Sequence, residues 1–279
     1  MPLWEPRRRI ELAYQRALER LLKQALFTCR DCSSYAAFKR AMDAWSKTEE
    51  FREFSEALAG KMITGLFADV GRNWREAARY NSKTREMYMR LIKSMAGERG
   101  RRVQEMIREN AELIQTLPLS TAEQVSDYAA EQAAKGRRPE DIEAEILKLF
   151  PNRTRARSKL IARTEMAKYH TAMIQADCQD LGHNWYFWRS VRDERSRSAH
   201  KKMDGVLCSW DDPPNPEALF PGYQKPYGRY PPGGTFNCRC TPEPVIVPEQ
   251  IPDTVPVHKN GKITRMNKSA VIKMVGGLI

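Results

Sequence analysis

The sequence predicts an α+β protein: a mainly helical N-terminal domain, a small irregular α+β module, and an extended C-terminal tail. Three observations predict it. Through residues 8–150, apolar residues recur every three or four positions, the period of a helix with one buried face. The aromatic, alternating "NWYFWRSV" at 184–191 breaks that rhythm and reads as a strand. Prolines and glycines then crowd the chain, as in "DDPPNPEALFPGYQKPYGRYPPGG" and "TPEPVIVPEQIPDTVPV". The expected divisions are 1–152 for the helical domain, 153–245 for the module and 246–279 for the tail.

The first helix places Ile10, Ala13, Tyr14, Ala17, Leu18, Leu21, Leu22 and Ala25 on one face. A second does the same with Phe51, Phe54, Leu58, Met62, Leu66, Phe67, Val70 and Trp74. Shorter helices are expected at 87–95 and 101–114. Ser120 with Glu123 has capping-box spacing, so a new helix is expected to start there and to end at Gly136. The next helix carries Ile142, Ile146, Leu147 and Phe150 on its buried side and is expected to close at Pro151. A long helix over 153–180 should follow, ending at Gly182, with Leu160, Ala167, Thr171 and Ile174 on one face and Arg155, Lys159 and Arg163 on another. The final "AVIKMVGGLI" reads either as a docking segment or as a loose end.

Composition narrows the function. Apolar residues make up 41% of 279 positions, enough for packed cores. No run of some 18 apolar residues exists, and the basic start lacks an apolar stretch behind it. Neither a membrane span nor a secretory signal is therefore expected, and synthesis in the cytoplasm follows. Cysteines at 29, 32, 178, 208, 238 and 240 then read as free thiols rather than a disulfide framework. Cys29 and Cys32 form a CxxC that lacks the preceding strand of a redox motif and reads as a pair of helix-end thiols. The net charge of +12 favours polyanionic partners. Arg153, Arg155, Arg157, Lys159 and Arg163, and then Arg189, Arg192, Lys201 and Lys202, are the candidate contacts to double-stranded DNA. They would bind phosphate without reading sequence. Solvated helix faces are the plainer explanation of any one such stretch.

One cluster stands apart. "VRDERSRSAHKKMDG" at 191–205 brings His200, and "YPPGGTFNCRC" at 230–240 brings Cys238 and Cys240. These three could hold zinc, with Cys208 as a fourth ligand, although Cys-x-Cys is tighter than the usual spacing in zinc ribbons. Alternatively the two cysteines are strand residues on one face, packing as small apolar groups. A third reading is an enzyme, a nuclease or transferase using Asp193 and His200. No nucleophile elbow, Walker loop, dinucleotide fingerprint or HExxH accompanies it, so neither a cofactor nor a small-molecule substrate is expected.

Four separated motifs carry a family resemblance: "IARTE" at 161–165, the aromatic strand leading into Asp193-Glu194-Arg195, His200 before Asp204-Gly205, and Asn237-Cys238-Arg239-Cys240. In this order they resemble the phage Mu F-like head morphogenesis family, also called minor head or minor capsid proteins. The resemblance covers 153–245. It implies a non-enzymatic virion component, present in few copies, synthesised in the host cytoplasm. Such a protein associates with the portal and other head proteins, assists head assembly or genome delivery, and in some members binds DNA. Arg163, Glu165, Asp193, Arg195, His200, Asp204, Gly205, Asn237, Cys238, Arg239 and Cys240 then read as an architectural knot that closes the module. Within it Arg195 and Arg239 are expected to form buried pairs with Asp193, Glu165 or Asp204, so that Arg239→Ala would unfold the module. Many relatives carry Cys-Pro-x-Cys at the "SRSAH" position and a histidine before Asn-Cys-Arg-Cys. This chain has Arg197, His200 and Phe236 there, which leaves it short of a full zinc set.

Overall fold

A computed structural model describes residues 3–94, 97–220 and 227–275. Met95, the middle of the first turn-rich segment (221–226) and the last four residues of the apolar C-terminal segment lie outside the described residues. The fold is α+β, with six helices followed by a sheet of five strands interspersed with short helices.

The helices are α1 (Arg8–Arg30), α2 (Tyr35–Ser46), α3 (Glu49–Ala77), α4 (Ser82–Lys93), α5 (Glu98–Ala134) and α6 (Pro139–Leu181). In α1 the expected face is the buried one: Tyr14, Leu18, Leu21, Leu22 and Ala25 are all at most 3% exposed. Ser34 caps α2 by accepting the Ala37 amide, and Asn81 caps α4 in a reciprocal box with Thr84. Gly136 and Gly182 take up positive φ just past α5 and α6, as expected of C-terminal stops. Three side chains expected on apolar faces, Ala13, Phe54 and Leu160, are exposed, Phe54 lying stacked on Phe51.

Two expected breaks are absent. α5 runs through Pro118, and α6 runs through Pro151. Ser120 is an interior residue of α5; its hydroxyl donates back to the Leu117 carbonyl, and Glu123 pairs with Lys39. A helix-interior proline costs about 3 kcal/mol. Around Pro118 that is offset by Ile114, Leu117, Ala122 and Val125, all essentially buried, and around Pro151 by Ile146, Phe150 and Thr154.

The chain divides into two compact units: Arg8–Thr64 with Val103–Ala162, and Met1–Arg7 with Gly65–Arg102 and Arg163–Ile279. Thus α3, α5 and α6 each contribute one part to either unit, whereas the sequence suggested a boundary at residue 152. The first unit is all helical, its core built on Leu26, Phe38, Met42, Val125, Ile146 and Phe150.

The second unit holds the sheet. β1 (Trp185–Arg189) pairs antiparallel with β2 (Leu207–Ser209) on one side and with β3 (Thr241–Pro244) on the other. α7 (Ser198–Met203) lies between β1 and β2 in sequence, and α8 (Pro216–Leu219) between β2 and β3. Residues 246–279, expected as an extended tail, instead supply β4 (Thr254–Lys259), β5 (Lys262–Asn267) and α9 (Lys268–Val275). β4 pairs parallel with β2 and antiparallel with β5, giving the order β3-β1-β2-β4-β5. One sheet face is sealed by Phe187, Leu207, Val245, Ile251, Val255, Val257, Val271 and Val275. Because side chains alternate along a strand, Trp188 on β1 points away from Phe187. It meets the His200 ring edge-on, with centroids 5.6 Å apart.

Candidate functional site

The side chains of His200, Cys238 and Cys240 converge beside Trp188. All three residues are buried, and their ligating atoms lie within 4.8 Å of one another. His200 sits in α7. The cysteines are not strand residues: they occupy the loop immediately before β3, with Cys240 one step beyond the Arg189–Thr241 pair. Cys208 is buried on β2 and is not part of the cluster, so it is not the expected fourth ligand.

The loop is positioned by the turn before it. Gly233 has φ of +81°, and a Cβ there would come within 2.9 Å of the Ala167 carbonyl oxygen and Thr171 Oγ1 on α6. Only glycine allows this approach. Thr171 donates to the Pro232 carbonyl at 2.7 Å. The "ARTE" segment of α6 then anchors Asn237, itself at φ +54°: Arg163 donates to its side-chain oxygen (3.1 Å), and its amide donates to Thr164 Oγ1 (3.0 Å). Glu165 is half-buried on the same helix. Arg239 grips Asp193 through two guanidinium nitrogens, one at 2.6 Å, and Ser196 donates to the same carboxylate. These hydrogen bonds hold the Asp193 carboxyl well below the usual carboxylate range, Arg239 being the larger cause. The pair is not buried: the Arg239 side chain is 27% exposed and that of Asp193 38%. Loss of Arg239 therefore no longer implies unfolding. Asp204 accepts the Ser190 amide and pairs with Arg192, and Gly205 follows it at positive φ. Arg195 is exposed and makes no ion pair among the described residues.

Two residues that sequence reasoning missed stand behind His200. Tyr230 Oη lies 3.0 Å from His200 Nε2 and donates to both oxygens of buried Glu217, at 2.7 and 2.8 Å. Asn215 and Pro216 start the single turn of α8 that presents Glu217. The phenol proton is committed to the carboxylate, so the phenol oxygen accepts from Nε2–H. His200 is thereby fixed as the tautomer whose Nδ1 carries a lone pair. That lone pair faces both sulfurs, at 3.5 Å from Cys238 and 3.4 Å from Cys240. The Cys240 amide also donates to the Cys238 sulfur at 3.4 Å. The Cys238 thiol is held well below its ordinary value, chiefly by Cys240 and then by His200, while Cys240 is pushed up, chiefly by Cys238.

As for an enzyme, no hydrogen bond or ion pair joins Asp193 to His200 among the described residues; each is held by other partners. The candidate DNA contacts fare unevenly. Arg157 is half-buried and bonds Ser120, Arg189 pairs with Glu243, and Arg192 with Asp204. Arg153 lies over the Tyr128 and Phe150 rings, and Lys202 over Phe220. Arg155, Lys159 and Lys201 are exposed. No helix among the described residues is long and apolar enough to cross a membrane.

A protein of Haemophilus influenzae, described as uncharacterized, is 28% identical over 137 residues; the match takes in 49% of this chain but spans only 28% of that relative's length. No solved structure gives a significant match. The profile of the family described as Phage Mu protein F like protein matches residues 95–243, more than half of the chain and all three residues of the buried cluster, and the chain belongs to that family.

Proposed function

We propose that the chain is a minor head protein of a bacteriophage, acting at the portal vertex during head assembly. Family membership over residues 95–243 makes head morphogenesis the coarse reading, and it is the observation that carries the proposal. The finer parts rest on less. The portal protein and other head proteins are the proposed partners, and the virion, after synthesis in the host cytoplasm, is the proposed location. Contact with packaged DNA is supported by the net charge of +12 and by the exposed Arg155, Lys159 and Lys201. The geometry of the knot supports a structural rather than a catalytic role. Its polar groups are spent on one another, with Arg163 on Asn237, Arg239 on Asp193 and Tyr230 on Glu217.

The test is quantitative mass spectrometry of purified heads from the phage that encodes the chain, standardised to the portal protein. A few copies per particle are expected. Absence from both procapsids and mature heads would overturn the proposal.

A further inference from the structure

The buried cluster offers more hydrogen-bonding partners than a hydrogen bond can use. Nδ1 of His200 has one lone pair, because Tyr230 and Glu217 keep the ring proton on Nε2. Yet two sulfurs approach that one nitrogen, at 3.5 and 3.4 Å. A single lone pair accepts one S–H well, and the second sulfur is left over. An ion at the common centre resolves this. For a tetrahedral zinc with Zn–S near 2.3 Å and Zn–N near 2.0 Å, the S···N edge is about 3.5 Å. The observed separations match that edge.

The surroundings fit as well. A carboxylate–tyrosine–histidine chain behind the ring is the kind of outer-shell support that orients a metal-bound imidazole and raises its basicity. The sulfurs also have N–H and O–H groups turned to them. The Cys240 amide donates to Cys238, and the Ser190 hydroxyl is turned to Cys240. The indole N–H of Trp188, buried without a conventional partner among the described residues, has the same sulfur as its neighbouring acceptor. On the open side lies a cavity of about 90 Å³, lined by Arg195, Ser196, Arg197, Asn237 and Arg239 besides the three cluster residues. None of these five is a thiol, imidazole or carboxylate.

We propose that His200 Nδ1, Cys238 Sγ and Cys240 Sγ bind one zinc ion, and that its fourth position opens on the arginine-lined cavity and is held by an exchangeable solvent ligand or small anion. Binding forms two S–Zn bonds and one N–Zn bond, and the thiol protons leave to the buffer. Two thiolates neutralise the ion, so the three guanidinium groups around the cavity favour an anionic fourth ligand. Two thiolates and an imidazole select zinc over the hard cations. The inference does not rest on the reading of the chain as a head protein.

The test uses the full chain, purified without chelator, reconstituted with zinc and dialysed. About one zinc per chain is expected; less than a tenth of an equivalent overturns the site. Cys238→Ser and Cys240→Ser should each lose the metal, while the double variant Cys29→Ser/Cys32→Ser should keep it. Metal that survives in the Cys238→Ser/Cys240→Ser double variant is adventitious, and that result also overturns the proposal. If those variants fail to fold, Glu217→Gln decides: it keeps all three ligands and should weaken zinc about 10- to 100-fold in a chelator competition. An unchanged affinity in a folded Glu217→Gln chain counts against His200 as a ligand. Cobalt substitution reads the fourth position. The tetrahedral visible bands should move on adding azide or inorganic phosphate, and bands that stay fixed would show a closed four-ligand site and overturn the open position.

Discussion

His170 on α6 is 1% exposed, and its Nε2 has no hydrogen-bond partner among the described residues. Burial alone pulls the imidazole down from 6.5 to about 3. Its folded pKa is depressed, so the unfolded chain takes up a proton that the folded chain refuses. Stability is therefore full above about pH 6.5 and falls as pH drops toward 3. The slope approaches about 1.4 kcal/mol per pH unit from this one residue. His183 and His258 are lowered too, chiefly by burial, and act in the same direction. Urea midpoints measured from pH 7 to 4.5 should fall steadily, and His170→Leu should flatten the slope without abolishing it. A pH-independent midpoint would contradict this. A second residue-level prediction concerns Arg99 and Asp177, a two-point ion pair at 2.7 and 2.8 Å with both side chains under a tenth exposed. Asp177→Ala takes the carboxylate away from a buried guanidinium that lies over Phe67 and should cost about 3–5 kcal/mol, read from denaturant unfolding. The sequence hid this pair because 78 residues separate its members. Glu217 was hidden for a similar reason: a lone carboxylate among prolines gives no sign that a tyrosine 13 residues on will take it up. His200, Cys238 and Cys240 were legible because soft ligands are scarce and stood near turn signals, whereas their placement off the strand was not.

At the scale of elements, the helices were legible where one face is apolar, and illegible where a local signal competes with burial. Ser120 read as a start and Pro151 as a stop, but the buried residues on either side outweigh those local signals. The last hairpin was missed although its signal was present. Asn260 and Gly261 both take positive φ between β4 and β5, the two-residue turn that favours Asn-Gly. The prolines at 248, 252 and 256 drew attention to an extended chain instead. The consequence is testable. Ile251, Val255, Val257, Val271 and Val275 belong to the sheet core, so truncation after residue 245 should lose cooperative unfolding and solubility. A truncated chain that stays soluble with an unchanged melting temperature would show that the hairpin is dispensable.

For the whole molecule, the α+β class followed from the change of period at residue 184, but the division of the chain did not. Helices as long as α5 and α6 enter both compact units, and periodicity does not mark where a continuous helix changes neighbours. Net charge was the clearest whole-chain signal. If four to six cations reach phosphate, DNA affinity should drop on the order of 10²- to 10³-fold between 50 and 200 mM salt, equally for unrelated duplexes. A salt-independent affinity, or one that differs among sequences, would rule out this mode of contact.

The order β3-β1-β2-β4-β5 also bears on synthesis. β2 leaves the ribosome early, yet its parallel partner β4 arrives only after residues 210–253 have been translated. Until then one edge of the nascent sheet is bare, and bare edges invite pairing with neighbouring chains. Translation pace and chaperone cover over that interval would therefore set what fraction of chains reaches the folded state.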